Sequence, residues 1–167
     1  DTGDMLLKSK MMIEPHHTAQ DVHDRLSEMG ADLALQTLDQ LEAGQLTPEV
    51  QDASQATLAP KMKKEDGLID WNQSAQNIHN RARGVEPWPG AFTFFGKTRW
   101  RLGQTEVGSG GSGDVPGVLA RISDYGLEVG TSSGRLIIKE VQPEGKKRMQ
   151  VKSFLAGHQL KPGDALG

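Results

Sequence analysis

Hydrophobic residues recur at helical spacing in the first third of the chain. Thr18 is followed three residues later by Asp21, which is the order of a capping box at a helix start. An apolar stripe then repeats every three or four residues, and its members are Val22, Leu26, Met29, Leu33, Ala34, Leu38 and Leu41. Gly44 is placed to end the helix as a left-handed cap. The pattern predicts one long amphipathic helix, with a short edge strand before it at 5–13.

This first segment has too few elements to enclose a hydrophobic core. A single strand and a single helix bury little apolar surface between them. The apolar stripe therefore predicts packing against a sheet or a partner outside residues 1–44. Pro48 and Pro60 then punctuate a polar run without a clear period, which indicates a linker.

The rest of the chain changes to short apolar runs between turn residues. Ser74 caps a short predicted helix that has Ala75, Ile78 and Ala82 on one face. Candidate strands follow at 91–95, 98–102, 115–121, 126–129 and 135–141, with a helical turn at 151–156. Five short strands with glycine corners predict a small Greek-key barrel of the OB type. Residues 108–113, all glycine or serine, predict a flexible loop between strands.

Two tryptophans near the start of this half predict its core. Trp71 ends the sequence Ile-Asp-Trp at 69–71, and Trp88 lies within Pro-Trp-Pro-Gly at 87–90. Aromatic side chains bury large areas, so a small domain gains much from one or two of them. Both indoles are therefore predicted to be core anchors.

Charge divides the chain into two parts with opposite sign. Residues 1–57 hold three Lys and Arg against eleven Asp and Glu, a net charge of −8. Residues 58–167 hold sixteen against eleven, a net charge of +5. Such asymmetry favours different partners for the two parts, and the basic part suits a polyanion such as nucleic acid. Two ordinary solvated surfaces explain the charge equally well at this point.

Composition excludes several kinds of chemistry. The chain has no cysteine, which excludes disulfides and thiolate chemistry and fits a reducing compartment. No apolar run approaches the roughly 18 residues of a membrane span. His16, His17 and His23 lie close in sequence but lack an accompanying acidic ligand pattern. The sequence therefore predicts no metal site.

Several residue strings together resemble the methionyl-tRNA formyltransferase family. They are Asp-Thr-Gly-Asp-Met-Leu at 1–6, Lys-Glu-Asp-Gly-Leu-Ile-Asp-Trp at 64–71, Ile-His-Asn-x-x-Arg-Gly at 78–84 and Val-Glu-Pro-Trp-Pro-Gly at 85–90. The tail from Gln142 to Asp164 is similar to the same family. The resemblance spans nearly the whole chain and is weakest at 103–114.

The resemblance implies an α+β chain in two parts. Residues 1–57 would be the C-terminal remnant of the catalytic domain with a linker, a terminal strand–helix piece of a Rossmann-like formyltransferase domain. Residues 58–167 would be a small OB-like β-barrel that binds tRNA. The resemblance also implies a full enzyme that is monomeric and resides in the cytoplasm or in an organelle of bacterial descent.

The same resemblance implies the chemistry and one catalytic residue. The full enzyme would transfer a formyl group from 10-formyltetrahydrofolate to the amino group of methionyl initiator tRNA, without a metal. Asp1 takes the role of the catalytic carboxylate, which holds an imidazolium and relays protons through water. The family's Asn-x-His motif would lie upstream of Asp1, so the sequence predicts that this chain alone is inactive.

Positive side chains carry the expected contact with tRNA. They are Lys61, Lys63, Lys64, Arg81, Arg83, Lys146, Lys147 and Arg148. Such distributed cations suit a phosphate backbone, and structured RNA is read mainly through its shape and backbone. Two alternatives stay open. One is a non-catalytic RNA-binding module, and the other is a formyltransferase acting on a sugar nucleotide or a folate dehydrogenase module.

Overall fold

A computed structural model describes residues 2–111 and 113–167 of the chain. These residues form two compact units, which divide between Lys61 and Met62. In the part of the chain that the structure describes, no helix combines the length and apolar character needed to cross a membrane.

The first unit is built around one long helix, α1 (Ala19–Glu42). The predicted capping box is confirmed, because the Asp21 amide donates to Thr18 Oγ1 at 3.2 Å and the Thr18 amide donates to Asp21 Oδ2 at 2.8 Å. These hydrogen bonds with Thr18 lower the pKa of Asp21. Gly44 follows the helix with a φ of 66°, the left-handed conformation expected of its cap. A short 3₁₀ helix, Ala53–Gln55, lies further on.

The predicted strand at 5–13 is wrong. Its pairing is limited to a single antiparallel bridge between Met5 and Glu49, which exchange both backbone hydrogen bonds at 2.8 Å. Among residues 2–61 no neighbouring strand receives the amides beyond Met5, so the segment stays extended without a ladder. The helix also has no buried residue, and Leu26, Leu38 and Leu41 are exposed. The apolar stripe of the helix is therefore uncovered within this unit. This agrees with the expectation that one strand and one helix cannot enclose a core.

The second unit combines helices with two sheets, which confirms the α+β class. Helix α2 is Ala75–Gly84 and helix α3 is Val151–Leu155, and a 3₁₀ turn covers Lys64–Gly67. The strands are β1 (Phe92–Phe95), β2 (Thr98–Leu102), β3 (Thr105–Gly108), β4 (Leu119–Ser123), β5 (Gly126–Gly130), β6 (Arg135–Ile138), β7 (Glu140–Pro143) and β8 (Met149–Gln150). One antiparallel sheet has the order β1-β2-β7-β8 and the other β3-β6-β5-β4. Pairing among the described residues therefore gives two four-stranded sheets and does not close into one barrel.

Two of the expected strands have different bounds for physical reasons. The expected strand 115–121 begins only at Leu119, because Pro116 cannot donate to a ladder and Gly117 has a φ of 78°. The expected strand 135–141 breaks at Lys139, where the chain leaves its place between β3 and β5 in one sheet and joins β2 of the other. Strand β3 was not predicted at all. Its end, Gly108, belongs to the glycine–serine run, of which Ser112 lies outside the described residues.

The core of the second unit confirms one of the two predicted tryptophan anchors. Trp71 is 5% exposed, and its Nε1 donates to the hydroxyl of buried Thr93 at 3.1 Å. Trp88 is 56% exposed, so its prediction as a core anchor is wrong. It lies in a turn outside both sheets, where no second layer covers it. Trp100, 3% exposed and edge-on to Phe154 at 5.0 Å, is a core anchor instead.

Candidate nucleic-acid interface

The first group of predicted cations lies on the 3₁₀ turn and the last turn of α2. The Lys63 amide donates to Asp66 Oδ2 at 2.7 Å, which fixes the turn that carries Lys63 and Lys64. Arg81 donates from Nε to the Asp66 carbonyl at 2.8 Å, and its Nη2 lies 3.5 Å from Asp66 Oδ1. Asp66 therefore joins Arg81 to the turn that carries Lys63 and Lys64. Both lysines are exposed and lack an acidic partner among the described residues.

The second group occupies the turn between β7 and β8. The Lys146 amide donates to the Pro143 carbonyl at 3.0 Å, and Gln142 Nε2 donates to the Lys146 carbonyl at 3.0 Å. These bonds hold the backbone of the turn, while the side chains of Lys146 and Lys147 are exposed. In the described chain neither lysine forms an ion pair. Both are therefore available to neutralise phosphates.

Arg148 ends that turn but is not a free cation. Its Nη2 donates to Glu86 Oε1 at 2.8 Å, and Arg101 Nη2 donates to Glu86 Oε2 at 3.3 Å. One carboxylate thus serves two guanidinium groups and leaves a net positive charge. All three side chains are partly exposed, which keeps that charge accessible to an anion.

A small groove lies beside these arginines. Its volume is about 140 Å³, and Arg99, Arg101, Gln142 and Glu144 are among its lining residues.

The two cation groups are connected through the segment 85–90, which we call the proline corner. Gly67 leaves no space for a Cβ beside the Gly90 carbonyl, and the Arg101 guanidinium packs on the Gly90 α-carbon. Contacts of the backbone and of two arginines therefore run from the 3₁₀ turn through the proline corner to Arg148.

The remaining predicted site residues lie outside these groups. Arg83 is half-buried, and its Nε donates to Asn80 Oδ1 at 3.0 Å. Lys61 is exposed and is the last residue of the first unit. Asp1, the predicted catalytic carboxylate, lies outside the described residues. Its role stays a prediction.

Arg99 and Arg101 were not predicted as site residues. Both belong to β2, where Trp100 and Leu102 alternate with them and are buried. Because successive strand residues point to opposite faces, this alternation places the two arginines on the other face together. The period of two in Arg-Trp-Arg-Leu was the available signal for both the arginines and the core position of Trp100.

A second groove, of about 400 Å³, runs beside α2. Its polar lining includes Asp70, Gln73, Asn77 and Arg81. Donation from the Gln73 side chain to the Asp70 carboxylate, at 3.2 Å, lowers the pKa of Asp70. Asn77 and Arg81 thus lie four residues apart on the helix beside this groove, and Gln73, just before the N-cap, continues the same spacing.

Residues 77–79 read Asn-Ile-His and so match the letters of the family's Asn-x-His motif. On a helix, residues two apart do not face each other. Asn77 lines the second groove, whereas His79 Nδ1 lies 2.9 Å from the hydroxyl of buried Thr105. His79 therefore ties α2 to β3, and the two side chains do not form one site.

Fold and surface together define a small α+β domain that presents cations from turns and from one sheet face. Residues 61–159 match the family model described as the formyl transferase C-terminal domain. The chain therefore belongs to the formyltransferase C-terminal domain family.

Curated relatives match the entire chain. The methionyl-tRNA formyltransferase of Geotalea uraniireducens is 47% identical over 167 residues, which are 100% of this chain and 53% of the relative. The enzyme of the same name from Citrifermentans bemidjiense is 46% identical over 167 residues, 100% of this chain and 52% of the relative. The chain thus spans about half the length of the curated relatives it matches.

Solved structures share the fold at low identity. HypX from Aquifex aeolicus, crystallised in complex with tetrahydrofolic acid, aligns with a TM-score of 0.65 and 19% identity over 93% of this chain and 28% of its own. An N-formyltransferase from Helicobacter canadensis, solved with folinic acid and dTDP-3-aminofucose, aligns with a TM-score of 0.62 and 14% identity. That alignment covers 82% of this chain and 50% of the other.

Proposed function

We propose that these 167 residues are part of a methionyl-tRNA formyltransferase. The whole protein would transfer a formyl group from 10-formyltetrahydrofolate to the amino group of methionine on initiator tRNA. The observation that carries this proposal is the match of all 167 residues, at 46–47% identity, to relatives of that name. A folate donor is supported by the structural relative that was crystallised with tetrahydrofolic acid.

Residues 1–57 belong to the catalytic domain in this proposal. The uncovered leucines of α1, Leu26, Leu38 and Leu41, support it because such a face is stable only when another element covers it. Asp1 would supply the carboxylate of the reaction. The attacking amine must lose a proton and the folate nitrogen must gain one, so a carboxylate that relays protons through water serves both needs.

Residues 58–167 bind the tRNA in this proposal. The exposed cations of the 3₁₀ turn and of the β7–β8 turn suit a phosphate backbone, because each neutralised phosphate releases condensed counterions. Arg81 and Arg148 add charge while their carboxylate partners hold their positions. Shape and backbone contacts of this kind are the usual way in which proteins bind folded RNA.

Formyl transfer by the full-length protein tests the catalytic part of the proposal. With 10-formyltetrahydrofolate as donor, the protein is expected to formylate methionyl initiator tRNA and to leave a nucleotide-linked amino sugar unmodified. The product is measured by acid gel electrophoresis of the charged tRNA. Formylation of the amino sugar and not of the tRNA would replace this proposal with a sugar-nucleotide formyltransferase.

Replacing Lys146 and Lys147 with alanine tests the RNA surface. If each lysine neutralises one phosphate, the slope of log affinity against log salt is expected to flatten by roughly 1.4 to 1.8. The slope is measured by titrating the 167-residue chain with initiator tRNA at several salt concentrations. Arg148 is left intact, since its removal would also remove one of the two partners of Glu86 and so change the charge of that cluster.

The matched control removes two lysines that are already paired. Lys8 lies 2.6 Å from Glu49, and Lys152 lies 3.3 Å from Asp124. Their double alanine variant changes the net charge by the same amount but is expected to keep the wild-type slope. Equal flattening in both variants would show that overall charge, and not the β7–β8 turn, controls binding.

A further inference from the structure

Trp88 differs from the other two tryptophans in its exposure. Trp71 and Trp100 are buried, whereas more than half of the Trp88 side chain is open to solvent. An exposed indole contributes little to the core, although tryptophan is among the most valuable side chains for binding. We therefore looked to binding, and not to the stability of the fold, for the role of Trp88 in the proline corner.

The backbone on both sides of Trp88 is held in place. The Gly90 amide donates to the Val85 carbonyl at 2.8 Å, which closes the corner. Arg101 donates to the Pro87 carbonyl and packs on the Gly90 α-carbon, so it contacts the chain before and after the tryptophan. The corner thus offers an aromatic side chain from a fixed position, which lowers the entropy lost on binding.

Unbalanced positive charge surrounds this corner. Arg101 and Arg148 share the single carboxylate of Glu86, at 3.3 and 2.8 Å. Arg99 forms no ion pair among the described residues, and it lines the groove of about 140 Å³ together with Arg101. Glu144 also lines that groove and opposes an anion there. The balance around Trp88 is still positive.

We propose that Trp88 stacks on an unpaired base of the bound RNA, while Arg101 and Arg148 contact the phosphate of that nucleotide. The inference rests on the proposed RNA-binding function and names the part of the RNA that the corner recognises. An unpaired nucleotide combines an open aromatic face with a negative charge, which are the two properties that this surface complements. A paired base keeps its faces within the stack, and an apolar protein segment would leave the arginines without an anion.

Replacing Trp88 with leucine is the direct test. The affinity of the 167-residue chain for initiator tRNA is expected to fall about fivefold to a hundredfold, the usual value of one stacked base. The salt slope is expected to stay unchanged, because no charge is removed. Trp88→Phe is expected to retain most of the affinity. A blunt-ended RNA duplex is expected to bind the wild-type and Trp88→Leu chains equally.

Tyr125 provides a matched control on the same unit. Its side chain is also more than half exposed, but its hydroxyl donates to Glu106 at 2.5 Å and Lys139 Nζ lies 2.7 Å from its ring centroid. Because Tyr125 already has these partners, Tyr125→Leu is expected to leave tRNA affinity unchanged. An equal loss in both variants would overturn the stacking assignment.

Fluorescence distinguishes RNA from a protein segment as the occupant. Trp88 is the exposed indole, so added tRNA is expected to quench the emission that acrylamide also quenches. If the full-length protein shields Trp88 from acrylamide without RNA, a protein segment covers it and the inference is wrong.

If Trp88→Leu binds tRNA as tightly as wild type while the lysine variant flattens the slope, the inference fails and the RNA surface stands. If the wild-type chain does not bind tRNA, both fail.

Discussion

Replacing Trp71 with alanine is expected to lower the free energy of unfolding of the second unit by about 3–5 kcal/mol, the usual cost of truncating a large buried aromatic side chain. Trp71 is 5% exposed and packs against the backbone of Gly117. Its Nε1 also donates to Thr93, which is fully buried. The substitution therefore opens a cavity and leaves a buried hydroxyl without its partner, and both effects destabilise the fold.

Trp88→Ala is the matched control, since it removes the same side chain from an exposed position. Its expected cost is below about 1 kcal/mol, as for surface substitutions away from special contacts. Trp71→Phe separates packing from hydrogen bonding, and it is expected to cost less than Trp71→Ala because most of the aromatic volume is kept. A Trp88→Ala cost equal to that of Trp71→Ala would mean that the indole of Trp88 is part of the core.

Urea unfolding followed by tryptophan fluorescence measures these differences. All three tryptophans belong to the second unit, so the emission reports its transition and not that of α1. Trp100 remains in every variant as the common probe. The midpoint and the slope together show whether a variant changes stability or the surface exposed on unfolding.

Local signals in the sequence predicted the helices well. The Thr18–Asp21 capping box, the helical period that follows it and Gly44 together define α1. Ser74 caps α2 in the same way, through its side chain and the Asn77 amide at 3.2 Å. Caps and helical periods involve residues three or four positions apart, so a short stretch of sequence contains both partners of each contact.

Signals that depend on distant partners were less reliable. The segment 5–13 has apolar residues typical of a strand, but a strand needs a neighbour, and its pairing is confined to Met5. One predicted strand is broken at Lys139, because the residues before Lys139 pair with β5 in one sheet and those after it pair with β2 in the other. The period of two on either side of Lys139 contains no sign of this change of sheet.

The candidate site shows the same division. Lys63, Lys64, Lys146 and Lys147 were predicted as RNA contacts from their charge, and the structure leaves all four side chains exposed. The sequence could not show which of the cations are paired with a carboxylate. Arg148 and its partner Glu86, for example, are 62 positions apart. Trp71 and Trp88 were both predicted as core anchors because aromatic side chains bury large areas, and only the layers around them distinguish the buried one from the exposed one.

Arg135→Leu is expected to lower the equilibrium constant for folding roughly tenfold to a hundredfold, because hydrogen bonds to charged groups are among the strongest in proteins. Arg135 forms two parallel bonds with Asp114, from Nε at 2.7 Å and from Nη2 at 2.8 Å. Its Nη1 donates to Glu128 Oε2 at 3.0 Å. All three side chains are mostly buried, so the substitution leaves Asp114 without its counterion and leaves Glu128 with the exposed Arg121 alone.

The acid stability of the same variant tests the assignment independently. Hydrogen bonds from Arg135, followed by one from the Gly111 amide, lower the pKa of Asp114 from its usual 3.8 to about 2. Because the folded-state pKa is depressed, the stabilisation is fully present above about pH 4 and is lost as the pH falls towards 2. The wild-type chain is therefore expected to lose stability in this window, and Arg135→Leu to lose less of it.

Arg121→Leu is the control for this pair of measurements. Arg121 also pairs with Glu128, at 3.6 Å, but its side chain is 69% exposed. Exposed ion pairs contribute little, so its expected effect on the folding constant is below about threefold, with the acid transition unchanged. In the Arg135→Leu background, Asp114→Asn is expected to cost nothing further, because the carboxylate has already lost its partner. A large additional cost would show that the Gly111 amide, and not Arg135, is the main partner of Asp114.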